Sequence, residues 1–211
     1  MALYYNSTNI PPGNHVYINN ADCQKVIYNN VEMWKRSFYI FQNGPTSISG
    51  NWASYNMMYT HNSFSVGTTL KFPGTYIDNS SYGCLTLSTN LIDLSGLSSI
   101  SFYLGGGGDV AFRCKDQNTV AWHAKLQLVL ANVWPTLENG QIKFGSTPNF
   151  TNIYDIWNPG DLNPSTQYLW PFYNTTVTKP ISVNGTRYVG FYLSGYDFTS
   201  GDFSINNILV S

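Results

Sequence analysis

The stretch VAWHAKLQLVL, residues 120–130, decides the fold. Its apolar residues Val120, Trp122, Ala124, Leu126, Leu128 and Leu130 occupy every second position. Side chains alternate between the two faces of a strand, so this spacing gives one continuous apolar face to a long strand and puts His123 opposite Trp122. Trp122, Leu126 and Leu130 also fit a helical spacing of four, but strict alternation over the whole stretch fits a strand better.

The same period recurs outward from it. Phe64, Val66, Thr68, Leu70 and Phe72 alternate with polar or small residues, as do Ile100, Phe102 and Leu104, then Val110, Phe112 and Cys114, then Val189, Phe191 and Leu193. In the last run Phe203 and Ile205 give way to Ile208 and Val210, and the change of phase at Asn206-Asn207 predicts a bulge or a break in pairing. Turn residues separate these runs at Asn43-Gly44-Pro45, Pro73-Gly74, Asn139-Gly140, Pro159-Gly160-Asp161, Asn184-Gly185 and Ser200-Gly201-Asp202. No segment has the pattern of an amphipathic helix. Strands with one apolar face must bury it against another sheet, so the fold class is all-β, an antiparallel jelly-roll β-sandwich.

A smaller element precedes the sandwich. Residues 1–14 are polar and end in Pro11-Pro12-Gly13, and HVYIN (residues 15–19) reads as a short strand. Residues 25–36, KVIYNNVEMWKR, read as a β-hairpin closed at Asn29-Asn30, since asparagine tolerates the left-handed conformation of a two-residue turn. That closure pairs Tyr28 with Val31, Ile27 with Glu32 and Val26 with Met33, and puts Val26, Tyr28, Val31 and Met33 on one face with Trp34 on the other. Phe38–Phe41 begin a new strand at once. The expected division is a docking element over residues 1–36 and a sandwich over 37–211.

Composition narrows the function. Charged residues are 10% of the chain, against roughly 25% in an average soluble domain, and aromatics are 16%. With a net charge of −1 and no basic run, phosphate-backbone binding is not expected. No run approaches the roughly 18 apolar residues of a membrane span. The start, MALYYNSTNIPPGNH, lacks the basic and apolar regions of a signal peptide, so synthesis in a cytoplasm is expected. Cys23, Cys84 and Cys114 lie in or beside apolar runs without zinc spacing and read as buried thiols.

Two resemblances add to this reading. Lys25, Val26, Ile27, Tyr28, Asn29, Asn30, Val31, Glu32, Met33 and Trp34 resemble an element near the start of many bacteriophage tail and fibre proteins, with Asn30 where glycine is usual and Met33 where valine is usual. Residues 91–104, LIDLSGLSSISFYL, and 188–210, YVGFYLSGYDFTSGDFSINNILV, resemble a strand entry and the closing strands of jelly-roll carbohydrate-binding modules and related phage domains. The first resemblance implies a virion protein made in the host cytoplasm, with other virion proteins as partners and a homo-oligomer, commonly a trimer, as its assembly. The second specifies architecture better than activity.

No set of residues reads as catalytic. His15, His61 and His123 are scattered, and no nucleophile elbow is present. Asp78, Asp109, Asp155, Asp161, Asp197 and Asp202 read as turn residues serving the backbone. Asp93, Asp161 and Asp202 lack the ligand spacing of a calcium loop, so neither metal nor cofactor is expected. Gly105-Gly106-Gly107-Gly108 is followed by neither Lys-Ser/Thr nor a helix, and reads as a hairpin tip rather than a phosphate loop. The segment 149–173, NFTNIYDIWNPGDLNPSTQYLWPFY, reads as a long recognition loop whose Tyr154, Trp157, Tyr168, Trp170 and Tyr173 could stack on sugar faces, or else cover a sandwich edge or a subunit contact. The resulting expectation is a non-enzymatic bacteriophage tail or fibre component. It docks through Val26, Tyr28, Val31, Met33 and Trp34 and attaches to host-surface glycans. A stand-alone carbohydrate-binding module or lectin and a capsid decoration or head-fibre protein are the alternatives.

Overall fold

A computed structural model describes residues 37–55, 64–72, 74, 83–106, 125–136, 150–158, 174–194 and 202–211 with their side chains. It describes by backbone alone residues 3–5, 8–10, 16–18, 21–23, 25–28, 31–35, 56, 75–76, 81–82, 111–114, 124, 137–138, 141–142, 167–169, 195–196 and 198–200.

Among the described residues twelve strands build a sandwich: β1 (Phe38–Phe41), β2 (Trp52–Asn56), β3 (Ser65–Val66), β4 (Leu70–Phe72), β5 (Ser81–Ser88), β6 (Ile92–Asp93), β7 (Ser99–Gly106), β8 (Ala124–Ala131), β9 (Asn152–Trp157), β10 (Thr175–Pro180), β11 (Thr186–Tyr196) and β12 (Phe203–Val210). One sheet has the order β10-β7-β12-β4-β3, with β1 also on β12; the other has β9-β8-β11-β5-β2, with β6 also on β11. All pairings are antiparallel, and the chain crosses repeatedly from one sheet to the other in jelly-roll fashion.

The expected alternation generates the core. Ile100, Phe102 and Leu104 on β7, Leu126, Leu128 and Leu130 on β8, and Val189, Phe191 and Leu193 on β11 are all fully buried in one apolar cluster. Phe102 and Phe191 meet across the sheets, edge to face, with ring centroids 5.0 Å apart. A second knot joins Phe72 to Phe64 at 5.4 Å and to Phe203 at 5.2 Å. Cys84 is a free, fully buried thiol inside the cluster, as its apolar setting implies.

The phase change in the last strand is a real irregularity. Ser101 pairs with Leu209 and Tyr103 with Asn206, so β12 carries one extra residue. Asn207 absorbs it at a φ of 50°. The opposite edge of β12 is divided at the same place. Phe203 to Ile205 pair with β4, and Ile208 to Val210 pair with β1.

Four expectations need correction. The run 64–72 is not one strand. β3 and β4 pair with each other, Leu70 facing Val66, and the chain turns at Gly67, leaving Val66 exposed. Of the expected hairpin tip, Gly105 and Gly106 lie inside β7, and Gly107 and Gly108 lie outside the described residues. Both edges of β7 are taken by β10 and β12, and the following strand, Ala111–Cys114, pairs instead with 198–200 and 167–169. Asp155 stands in strand β9, not in a turn, and the 149–173 segment therefore contributes a sheet strand rather than only a loop. In the N-terminal hairpin Tyr28 pairs with Val31 and Ile27 with Glu32 as expected, but a bulge at Met33 brings Trp34 opposite Val26. The extra residue shifts every pairing beyond it. The side chains of Val26, Tyr28, Val31, Met33 and Trp34 lie outside the described residues, as do His15, His61 and His123.

Candidate functional site: an aromatic face on the second sheet

Alternation that sends Leu126, Leu128 and Leu130 inward sends their neighbours outward. On the outer face of the second sheet the pairing register lines up Tyr55, Leu85, Tyr192, Gln127 and Asp155 in one row across β2, β5, β11, β8 and β9. At the usual strand spacing the row spans about 19 Å. The next row places Leu87, Gly190, Val129 and Ile153 side by side. Leu85, Leu87 and Val129 are fully buried and form a small apolar floor of their own, separate from the main core.

Among the described residues five half-buried rings stand on this floor: Tyr55, Trp134, Phe150, Tyr188 and Tyr192. Trp134 meets Tyr188 edge to face at 5.0 Å and Tyr55 at 6.0 Å. Phe150 lies 5.5 Å from Tyr192. Gly190 lets the strands approach beneath them, since a Cβ there would fall 2.1 Å from the Thr86 carbonyl oxygen. Burial, then the neighbouring Cys84, push the Tyr192 hydroxyl up to about 12, against a smaller opposing effect of its hydrogen bond with Ser194. Tyr192 thus remains a hydrogen-bond donor through the neutral range.

The polar end of the row is organised around Asp155. Gln127 Nε2 donates to Asp155 Oδ1 at 2.6 Å, and Asn158 Nδ2 donates to Oδ2 at 2.8 Å. Burial pushes the Asp155 carboxyl up, but those two hydrogen bonds and the charges of Lys125 and Lys179 outweigh it and hold it below its ordinary value. It is therefore an ionised acceptor at neutral pH. The face combines ring surfaces, an amide and a carboxylate: apolar contact beside hydrogen-bonding groups.

The residues proposed from sequence are distributed differently. Tyr154 shares β9 with Asp155 but faces the core side, opposite Leu128. Trp157 is only 7% exposed and belongs to the main core, so its ring offers no face to a ligand. Tyr168 lies in the strand Gln167–Leu169, paired with Phe112, and its side chain is outside the described residues, as are Trp170 and Tyr173. Sequence reading missed Tyr55, Trp134, Tyr188 and Tyr192. The available signal was the outward phase of β11, where Tyr188 and Tyr192 flank the inward Val189 and Phe191. Among the described residues no three His, Cys, Asp or Glu side chains are grouped to hold a metal ion, and no helix is long and apolar enough to cross a membrane.

No protein-family model matches the chain, and no curated protein does. Among solved structures, the family 11 carbohydrate-binding module of a cellulosomal cellulase from Clostridium thermocellum is similar at 12% identity and a TM-score of 0.40, over 82% of this chain and 93% of that one. TmCBM61, solved in complex with β-1,4-galactotriose, is similar at 10% identity and a TM-score of 0.34, over 76% and 87%. Lectin II from Ulex europaeus is similar at 13% identity and a TM-score of 0.33, over 81% and 97%.

Proposed function

We propose that this chain is a non-enzymatic glycan-binding protein whose aromatic outer face takes an extended oligosaccharide. The observation that carries the reading is one outer sheet face on which the Tyr55, Trp134, Tyr188 and Tyr192 rings stand beside the hydrogen-bonded pair Gln127 and Asp155. Rings pack on the apolar faces of pyranoses, and the amide and carboxylate bind hydroxyls. Asp155, kept ionised by its neighbours, serves as an acceptor and is unsuited to donating a proton to a leaving group. A glycan array probed with the full chain tests this. Binding to at least one oligosaccharide, weakened tenfold or more by Trp134→Ala, is expected, roughly the loss of a well-packed aromatic contact. Binding that Trp134→Ala leaves unchanged refutes the assignment of this face.

In the same reading the protein belongs to a bacteriophage particle, as a tail or fibre component and an oligomer, and residues 1–36 attach it to other virion proteins. The resemblance of residues 25–34 supports this, and the paired strands Lys25–Tyr28 and Val31–Lys35 are compatible with it. Deleting residues 1–36 should abolish incorporation into particles and leave glycan binding intact. Normal incorporation of the truncated chain contradicts the docking role, and absence of the full chain itself from particles favours a stand-alone lectin.

A further inference from the structure

We propose a second saccharide subsite on the opposite side of the sandwich, in a cleft on the outer face of the first sheet, sized for one or two sugar residues and selective for neutral ones. It goes beyond the aromatic-face reading, and the two can fail separately.

The cleft of about 450 Å³ is open to solvent and lies within the range of small-molecule sites. Its origin is a missing side chain. Lys71, Ser204 and Gly105 face one another across β4, β12 and β7. A Cβ on Gly105 would come 2.8 Å from Ser204 Oγ and 3.4 Å from Tyr103 Cε1, so the glycine keeps the floor open. Tyr103, on the same outward phase of β7, supplies a ring at the wall. Asn174, at a φ of 45°, fixes the far side by accepting a hydrogen bond from Gly106 N at 3.4 Å. At the lip Lys71 Nζ stands 3.6 Å from Asp202 Oδ2, with the two side chains 55% and 53% exposed.

These groups define the ligand class. A ring beside an amide, a hydroxyl, an ammonium and a carboxylate matches a polyhydroxyl ligand with one apolar face. Lys71 and Asp202 cancel each other's charge, so the lip attracts neither an anion nor a cation. Side by side they present a donor and an acceptor, which suits two adjacent hydroxyls. The pair is exposed and contributes little to stability, so it is free to exchange its weak mutual contact for a ligand.

Saturation-transfer NMR of the full chain with the methyl glycosides of glucose, galactose, mannose and N-acetylglucosamine tests the site. At least one should bind in the millimolar range, as expected for a small open site. Lys71→Ala should weaken it roughly tenfold or more, the usual cost of a lost charged hydrogen bond. Gly105→Ala should weaken it by filling the floor, and Lys71→Ala should cause the same loss in a Trp134→Ala background, where the aromatic face is impaired. Absence of binding by all four glycosides overturns the proposal, and so does binding that Lys71→Ala leaves at the wild-type level. Lys71 is exposed, so that variant remains informative even where Gly105→Ala disturbs the strand.

Discussion

Replacing Phe191 with alanine removes the ring that ties the two sheets together. Phe191 is fully buried on β11, 5.0 Å from Phe102 of the opposite sheet and stacked at 6.4 Å on Trp52, which in turn meets Phe41 at 5.6 Å. The void would be bounded by strands from both sheets and could not collapse without moving paired backbone. The cost should therefore lie near the upper part of the usual range for buried aromatic truncation, about 4 kcal/mol. That is a large share of the roughly 5–15 kcal/mol that holds a typical domain folded. Urea unfolding followed by tryptophan emission reads it directly, because Trp52 sits against the deleted ring. With an m-value of about 2 kcal/mol/M, the midpoint should fall by about 2 M at unchanged m. A cycle with Phe102→Ala should show a coupling of about 1 kcal/mol for the edge-to-face pair. A loss below about 1 kcal/mol, or strict additivity with Phe102→Ala, refutes the claim that these rings bridge the sheets.

Three smaller tests address local devices. Ser88 Oγ is buried, accepts from Val189 N at 3.0 Å and donates to the Asn90 carbonyl at 3.0 Å where the β5–β11 ladder ends, so Ser88→Ala should cost about 1–3 kcal/mol by stranding the Val189 amide; a neutral result in chemical denaturation excludes that role. Asn207→Gly should be near neutral and Asn207→Val should cost about 1–3 kcal/mol because of the positive φ, and equal stabilities for the two in thermal unfolding contradict the bulge. The folded pKa of Tyr192, about 12, lies above its ordinary value of 10.0, so its contribution is complete below pH 10 and is lost as pH rises through 12. That difference sets an upper bound of about 2–3 kcal/mol. Tyr192→Phe should flatten the stability-against-pH curve between about pH 10 and 12, and an unchanged slope there rules out the buried hydroxyl as its source.

Much of the sandwich could be read from period two alone. Ile100 to Leu104, Leu126 to Leu130 and Val189 to Leu193 face the core as their alternation requires, and even the slip at Asn206-Asn207 shows in the sequence, because a bulge must shift the apolar phase. The turn at Gly67 was hidden because Val66 and Thr68 continue the alternation by coincidence, while a two-residue strand leaves too little pattern to mark where it folds back. The candidate site was less legible. Sequence reading selects aromatic density, which put weight on Tyr154 and Trp157, yet strand geometry turns both toward the core and turns Asp155 outward. Val129, lying between Leu128 and Leu130, was the visible sign that the second sheet buries apolar residues on both faces. The rings over that floor come from residues 55, 134, 150, 188 and 192, and it takes the pairing register of Tyr55, Tyr188 and Tyr192 and the connecting segments that carry Trp134 and Phe150 to bring them together.

Chemical-shift mapping of the full chain, saturated with the oligosaccharide that it retains best on a glycan array, shows whether the glycan sits on the aromatic face. The largest shifts should fall on the Trp134 indole N–H, the Tyr188 and Tyr192 rings and the Gln127 side-chain amide. Failure to bind any glycan, or shifts confined to residues away from this face, would contradict glycan binding there.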